Sequence, residues 1–174
     1  MMSLRDLICL IVVLAIISSA AIAVPIEVGT GGNSAGLYIE WSDGYIAEFL
    51  ISFDGTVTGE DLFDTVDTGL GDNFVVTKVY YEGFGAAIDG IYYNDGSIEH
   101  FNPGWVGGED WWHYWTKDAG ETNWSFSSVG CSDRTVGNGD MDGWIYGRAG
   151  VPIPEPATIV LLALGGVMLW RGKT

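Results

Sequence analysis

Residues 45–81, YIAEFLISFDGTVTGEDLFDTVDTGLGDNFVVTKVYY, decide the fold. Tyr45 to Phe53 is rich in aromatic and β-branched residues and ends at Asp54-Gly55, a turn signal, so it predicts a strand. Thr58-Gly59-Glu60-Asp61 then opens a helix. Thr58 can cap it with the acidic residue three positions on, and two carboxylates sit in the first turn. Leu62, Phe63 and Val66 share one face, and Gly69-Leu70-Gly71-Asp72 closes the helix. Phe74 to Tyr81, with Val75, Val76 and Val79, predicts a second strand. No other stretch of the folded part reads as a helix, so this one must pack on a sheet made by the rest.

Downstream the texture is of short strands broken by turns. Ala86–Tyr93, Trp111–Thr116, Asn123–Ser127, Val129–Val136 and Asp142–Gly147 read as strands. Asn94-Asp95-Gly96 and Gly137-Asn138-Gly139-Asp140 read as turns, with a long loop running up to Asp110. Upstream, Val24 to Gly36 is rich in Gly, Ser, Asn and Thr and reads as a flexible lead-in. The expected class is α+β, a mixed sheet packed on one short helix.

The two ends of the 174-residue chain carry different signals. Arg5 precedes an apolar stretch from Leu7 to Ile17, and Ala21-Ile22-Ala23 places small residues at Ala21 and Ala23, the two positions read by signal peptidase. Residues 1–23 therefore read as a cleaved secretory signal. At the other end, residues 151–174 read VPIPEPATIVLLALGGVMLWRGKT. Every residue from Ala157 to Trp170 is apolar, small or Thr, so a helix there has no polar face to show to water. Fourteen residues span about 21 Å against a hydrocarbon core of ~30 Å, which makes a short membrane helix. Arg171 and Lys173 would stay on the cytoplasmic side, with Trp170 at the interface. Pro152, Pro154 and Pro156 forbid a helix before the run and leave an extended segment for an enzyme to grip.

Pro154-Glu155-Pro156, the apolar run with Gly165-Gly166, and the basic end at Arg171 and Lys173 resemble the PEP-CTERM sorting signal of Gram-negative bacteria. The resemblance implies processing by an exosortase, a membrane-embedded cysteine transpeptidase, after transient anchoring in the cytoplasmic membrane. It also implies a destination at the cell surface or in the extracellular matrix, and action with exopolysaccharide. With both ends assigned, residues 24–150 form one exported domain, with its core expected over 45–147.

Within that domain four bases, Lys78, Lys117, Arg134 and Arg148, face twenty-one acids, a formal charge of −17. Such a charge opposes binding to nucleic acid or anionic lipid. The acids are scattered and read as a solvated surface. Cys9 departs with the signal, which leaves Cys131 alone, buried or available for an intermolecular bond.

Gly83-Phe84-Gly85, Ile88-Asp89-Gly90-Ile91, Trp112-His113-Tyr114-Trp115, Val129-Gly130 and Gly139-Asp140-Met141-Asp142-Gly143-Trp144-Ile145-Tyr146 together resemble a second family. It is the domain at the C-terminus of transcobalamin and intrinsic factor, found also as a bacterial domain of unknown function in exported proteins. The resemblance implies a β-grasp-like fold, and it adds capture of a small corrinoid-like ligand as an alternative function. In the animal proteins the domain closes over the corrinoid beside a large helical domain that these residues do not supply.

Chemistry-bearing constellations are few. Alternation along Trp111–Trp115 puts Trp111, His113 and Trp115 on one face and Trp112 and Tyr114 on the other. Most of these rings read as core. Ligand contact, by stacking on sugar rings or a macrocycle, is expected on the face of Trp112 and Tyr114, with Trp124 as a further candidate. Asn138-x-Asp140-x-Asp142-Gly143 copies the first half of a calcium loop, but Ala149 stands where the bidentate Glu belongs, so a hairpin turn is the better reading. His100 and His113 lack partners at metal-ligand spacing. No catalytic residue, metal or cofactor is expected. A cryptic glycoside hydrolase using a pair such as Glu109-Asp110 or Glu60-Asp61 remains a further alternative, since spacing in sequence does not give separation across a cleft.

Overall fold

In this computed structural model, which describes residues 24–83, 85–105, 110–147 and 150–152, strands and one capped helix build the described part of the protein. The strands are β1 (Ile26–Gly29), β2 (Asn33–Glu40), β3 (Ile46–Phe53), β4 (Val57–Thr58), β5 (Phe74–Tyr81), β6 (Gly85–Asn94), β7 (Glu99–Pro103), β8 (Trp112–Lys117), β9 (Ser125–Phe126), β10 (Thr135–Val136) and β11 (Met141–Tyr146). Helix α1 (Gly59–Leu70) runs into a single 3₁₀ turn, Gly71–Asn73. The class is α+β and rich in sheet.

Six strands form the main sheet in the order β1-β3-β2-β11-β8-β9. The β1/β3 and β2/β11 pairs are parallel and the others antiparallel, so the sheet is mixed. A three-stranded antiparallel meander, β5-β6-β7, and a short β4/β10 ribbon complete the described residues.

Period-two patterning explains the inner face. Ala47, Phe49, Ile51 and Phe53 of β3 and Ala35, Leu37 and Ile39 of β2 are all buried, and they meet in register as Leu37 with Phe49 and Ile39 with Ala47. Leu62, Phe63 and Val66 of α1 join the same core, where the Phe63 ring meets Trp144 at 5.3 Å and Phe74 at 6.4 Å. Each such ring removed from water contributes about 1.5–3 kcal/mol.

The helix start is the capping box predicted from Thr58. The Asp61 N–H donates to Thr58 Oγ1 (3.2 Å) and the Thr58 N–H to Asp61 Oδ2 (2.7 Å). Two further first-turn donors find carbonyls in a distant loop, Gly59 N–H on Arg134 O (3.0 Å) and Glu60 N–H on Cys131 O (3.1 Å). At the other end Gly71, with φ +56°, turns the chain out of the helix.

Four expectations need correction. Val24–Gly36 is no flexible lead-in, because it holds β1 and half of β2. Its small polar residues hide a strand whose backbone is paired, and the Ser34 N–H donates to Asn138 Oδ1 at 2.8 Å. The core accordingly begins at Val28 rather than at residue 45. The long loop before Asp110 contains β7. Conversely, Val129–Val136 is mostly turn, with only Thr135–Val136 paired, against β4. Its carbonyls at Cys131 and Arg134 serve the α1 N-terminus instead of a strand ladder.

Among the described residues no helix is long and apolar enough to cross a membrane. Ala21, Ala23, Pro154, Glu155, Pro156, Arg171 and Lys173 lie outside the described residues.

Candidate functional site

On β8 the alternation puts Trp112 and Tyr114 on the core side. They are 6 % and 7 % exposed. Tyr114 stacks on Trp144, with centroids 4.4 Å apart, while Trp112 stands edge-on to Trp41 and Tyr146. The side named above for ligand contact is therefore occupied by core packing. Trp124 lies over the opposite face of the sheet, beside Pro152 and above Gly143. A Cβ on Gly143 would come within 2.8 Å of Pro152 Cγ and 3.1 Å of Trp124 Cζ3, so a glycine is needed for this cover to seat. Lys117 Nζ sits 5.1 Å from the Trp124 ring centroid. On the same face His113 is buried between the rings of Trp111 and Phe126, and desolvation lowers its pKa.

The other polar residues singled out earlier also have structural partners. His100 Nδ1 lies 2.7 Å from Asp43 Oδ2, its Nε2 lies 3.8 Å from Asp95 Oδ2, and its ring stacks on Tyr45 at 3.7 Å. Asp140 accepts from the Gly137 and Ala119 N–H groups, each at 2.8 Å, and from Arg134. Asp142, fully buried, accepts the Tyr114 hydroxyl at 2.5 Å. Among the described residues no group of three or more His, Cys, Asp or Glu is arranged to hold a metal ion. Cys131 is buried, its Sγ facing Ala86 O at 3.6 Å, and burial pushes the thiol up to about 11.

Two ion-pair networks, which sequence spacing did not reveal, absorb the basic residues. Arg134 Nη2 reaches Asp118 Oδ1 (2.8 Å) and Asp140 Oδ2 (3.2 Å), and its Nε lies 3.5 Å from Asp142 Oδ1. Burial pushes Asp142 up to about 6, against the opposing pull of the Tyr114 hydrogen bond and the Arg134 charge. Lys78 lies between Glu60 (3.2 Å) and Asp64 on the inner side of β5. Burial works against its ammonium, but the hydrogen bonds to Asp64 and Glu60 outweigh that and lift its pKa. Glu60 also accepts from Ser132 Oγ (2.6 Å) and from the Tyr80 hydroxyl. With Lys117 over Trp124, each of the three described bases is engaged, and the exposed charge of the described residues is acidic.

Two surface features of the described residues bear on binding. The first is the outer face of the meander, where Val75, Tyr92 and Phe101 form one cross-strand row. Val79 and Tyr81 follow along β5, while Ile98 and Trp105 flank β7. Phe101 and Trp105 are 59 % and 69 % exposed. Carboxylates border these rings. A bulge opposite Thr77 and Lys78 presents Asp89, and burial together with the Glu99 carboxylate raises the Tyr92 hydroxyl pKa.

The second feature is a cleft of about 340 Å³ at the ends of β2 and β11, lined by Glu40, Trp41, Ser42, Asp110, Tyr146 and Gly147. Glu40 is buried and accepts from the Tyr38 hydroxyl at 3.1 Å. Burial, then the Asp110 charge, raises the Tyr146 pKa. The Gly147 N–H donates to the carbonyl of the exposed Trp111 (3.0 Å), which brings that residue to the same end of the sheet. Acids and rings in this pattern suit hydroxyl-bearing or cationic ligands. No family model matches the chain, and no curated protein matches it.

Proposed function

We propose that the protein is an exported, non-enzymatic binding module that acts with exopolysaccharide at the cell surface or in the extracellular matrix of a Gram-negative bacterium. Residues 1–23 serve as its signal peptide. Its Pro154-Glu155-Pro156 tail is processed by an exosortase, with Ala157–Trp170 as the temporary membrane segment and Arg171 and Lys173 on the cytoplasmic side. The domain itself is β-grasp-like. What supports that reading is the strand order β3-β2-β11-β8-β9, in which a hairpin precedes the helix and the last strand lies parallel beside the first strand of that hairpin.

The observation that carries the binding function is the solvent-facing ring surface on the meander. Phe101 and Tyr81 expose most of their area, as does Trp105 just beyond β7. Exposed apolar surface of this kind marks an interaction site, and flat rings suit the apolar faces of sugars. Tryptophan fluorescence during titration with exopolysaccharide should show a saturable change, and Phe101→Ala with Trp105→Ala should weaken binding about tenfold. A saturable response to cobalamin with none to polysaccharide would move the function to small-ligand capture. For the tail, replacing Pro154-Glu155-Pro156 with alanines should leave an uncleaved precursor in the membrane fraction. Unchanged processing would sink the sorting assignment.

A further inference from the structure

The outer face of the meander is built flat. Two of the β6 positions it presents are small, Ala87 opposite Val79 and Gly90 between Thr77 and Pro103. A Cβ on Gly90 would lie 3.4 Å from Phe101 Cε2 and 3.8 Å from its Cζ, so the ring reclines from β7 across β6 and turns a face to solvent. Just past β7 the chain runs close against the bulge. The Gly104 N–H donates to Asp89 O at 2.6 Å, and a Cβ on Gly104 would meet Asp89 Oδ1 at the same distance. The exposed Asp89 carboxylate thereby stands at the margin of a platform made by Phe101 and its cross-strand neighbour Tyr92.

Backbone pairing and charge limit what can lie there. From Gly90 to Asn94, β6 is paired with β5 on one edge and β7 on the other. An extended peptide laid over the face would find no backbone groups to bond and would desolvate its own. A sugar ring instead offers an apolar C–H face to the rings and carries hydroxyls at its rim, where a carboxylate accepts them. Among the described residues no base lies on this face. Lys78 turns inward to Glu60 and Asp64, Arg134 is held by Asp118, Asp140 and Asp142, and Lys117 lies over Trp124. The charges bordering the platform, Asp89 and Glu99, are acidic, within a domain of formal charge −17. A polymer of uronic acids or sulfated sugars would meet repulsion there with no described cation to offset it.

We propose that the ligand of this face is an uncharged polysaccharide, its sugar rings stacked on Tyr92 and Phe101 and its hydroxyls donating to Asp89. The inference rests on the glycan-binding function proposed above and names the class of glycan that the same surface takes.

The test uses the full-length chain in a polyoxyethylene detergent, which carries no sugar headgroup, and titration calorimetry with oligomers of glucose, mannose, glucuronic acid and glucosamine. At physiological ionic strength a neutral oligomer should bind about tenfold tighter than the glucuronic acid oligomer, and the gap should narrow as salt is raised. Phe101→Ala should weaken neutral binding about tenfold. Asp89→Lys, at an exposed position, should narrow the gap from both sides, by removing a hydroxyl acceptor and by admitting the uronate. A glucuronic acid oligomer that binds as tightly as the neutral ones, or a glucosamine oligomer that binds tighter, overturns the uncharged ligand and leaves the glycan function standing. A neutral preference untouched by both substitutions places the site elsewhere and refutes the platform. Binding of no oligosaccharide removes both readings, and a dimer that Phe101→Ala dissociates would then assign the rings to a second copy of the chain.

Discussion

Asp142→Asn isolates the cost of a buried charge. Asp142 is fully buried, and its carboxyl is pushed from the ordinary aspartate value of 3.8 to about 6, burial outweighing the Tyr114 and Arg134 contacts. Because the folded pKa lies above the unfolded one, the folded chain binds the proton more tightly between those values. Asp142's contribution to stability is therefore fully present below about pH 4 and is lost as pH rises through about 6. A gap of about two units at ~1.4 kcal/mol each amounts to about 3 kcal/mol. Asparagine keeps the volume and an oxygen for the Tyr114 hydroxyl, so it stands in for the protonated acid. Arg134 keeps Asp118 and Asp140. Asp43, Glu60 and Asp95 are shifted the other way, each held below its ordinary value by hydrogen bonds that overcome any burial, and they contribute stability that is lost as pH falls. These groups are common to both proteins and cancel in the difference. Urea unfolding followed by tryptophan fluorescence should show the variant gaining on the parent by up to about 3 kcal/mol between about pH 4 and pH 7. A difference that is flat with pH, or one that moves toward the parent as pH rises, refutes the dominance of burial at this site.

Gly59→Ala should destabilise the fold by about 1–3 kcal/mol although alanine is the better helix former by ~1 kcal/mol, because the new Cβ would lie 2.5 Å from Asp142 Oδ2 and 2.6 Å from the Tyr114 hydroxyl. An unchanged urea midpoint would show that the helix start does not approach β11 and β8 so closely. Cys131, buried and with its thiol pushed to about 11, should resist alkylation in the native protein and react once denaturant is added, as read by mass spectrometry. Rapid labelling without denaturant would place the thiol at the surface.

What was legible in sequence was local. The β3 pattern, the Thr58 capping box, the Leu62-Phe63-Val66 stripe and the β5 boundaries all depend on residues within a few positions of one another. The β2 strand was missed because Asn33, Ser34 and Gly36 look like linker, although Ala35, Leu37 and Ile39 carry a weak period of two. Alternation on β8 showed that Trp112 and Tyr114 share a side, but period alone does not say which side is inner. That depends on β11 lying next to β8 and on what packs over both. The networks around Arg134 and Lys78 were invisible for the same reason. Lys78 finds Glu60 from 18 residues away and Arg134 works across three loops, so acids that read as scattered surface prove to be partners of the half-buried bases. The aromatic face and the cleft likewise depend on strand order.

The topology also bears on how such a chain is delivered. β11 is the last strand in sequence, yet it sits inside the main sheet, parallel to β2 on one side and antiparallel to β8 on the other. Ser34 is tied to Asn138 across 104 residues. Until Met141–Tyr146 is available, β2 has an unpaired inner edge and the Tyr114 ring lacks Trp144, so the main sheet cannot close early. For the export proposed above that order is an advantage, since no finished domain forms ahead of translocation. The exit from β11 follows the same logic. Pro152 packs on Gly143 beside Trp124, and the Pro-Glu-Pro motif begins two residues later. A cut at or beyond Pro154 leaves every described strand and the cover over Gly143 in place, whereas a cut at Gly147 would strip Pro152 from that face. Every described strand thus precedes the proposed sorting signal, which is what a removable tail requires.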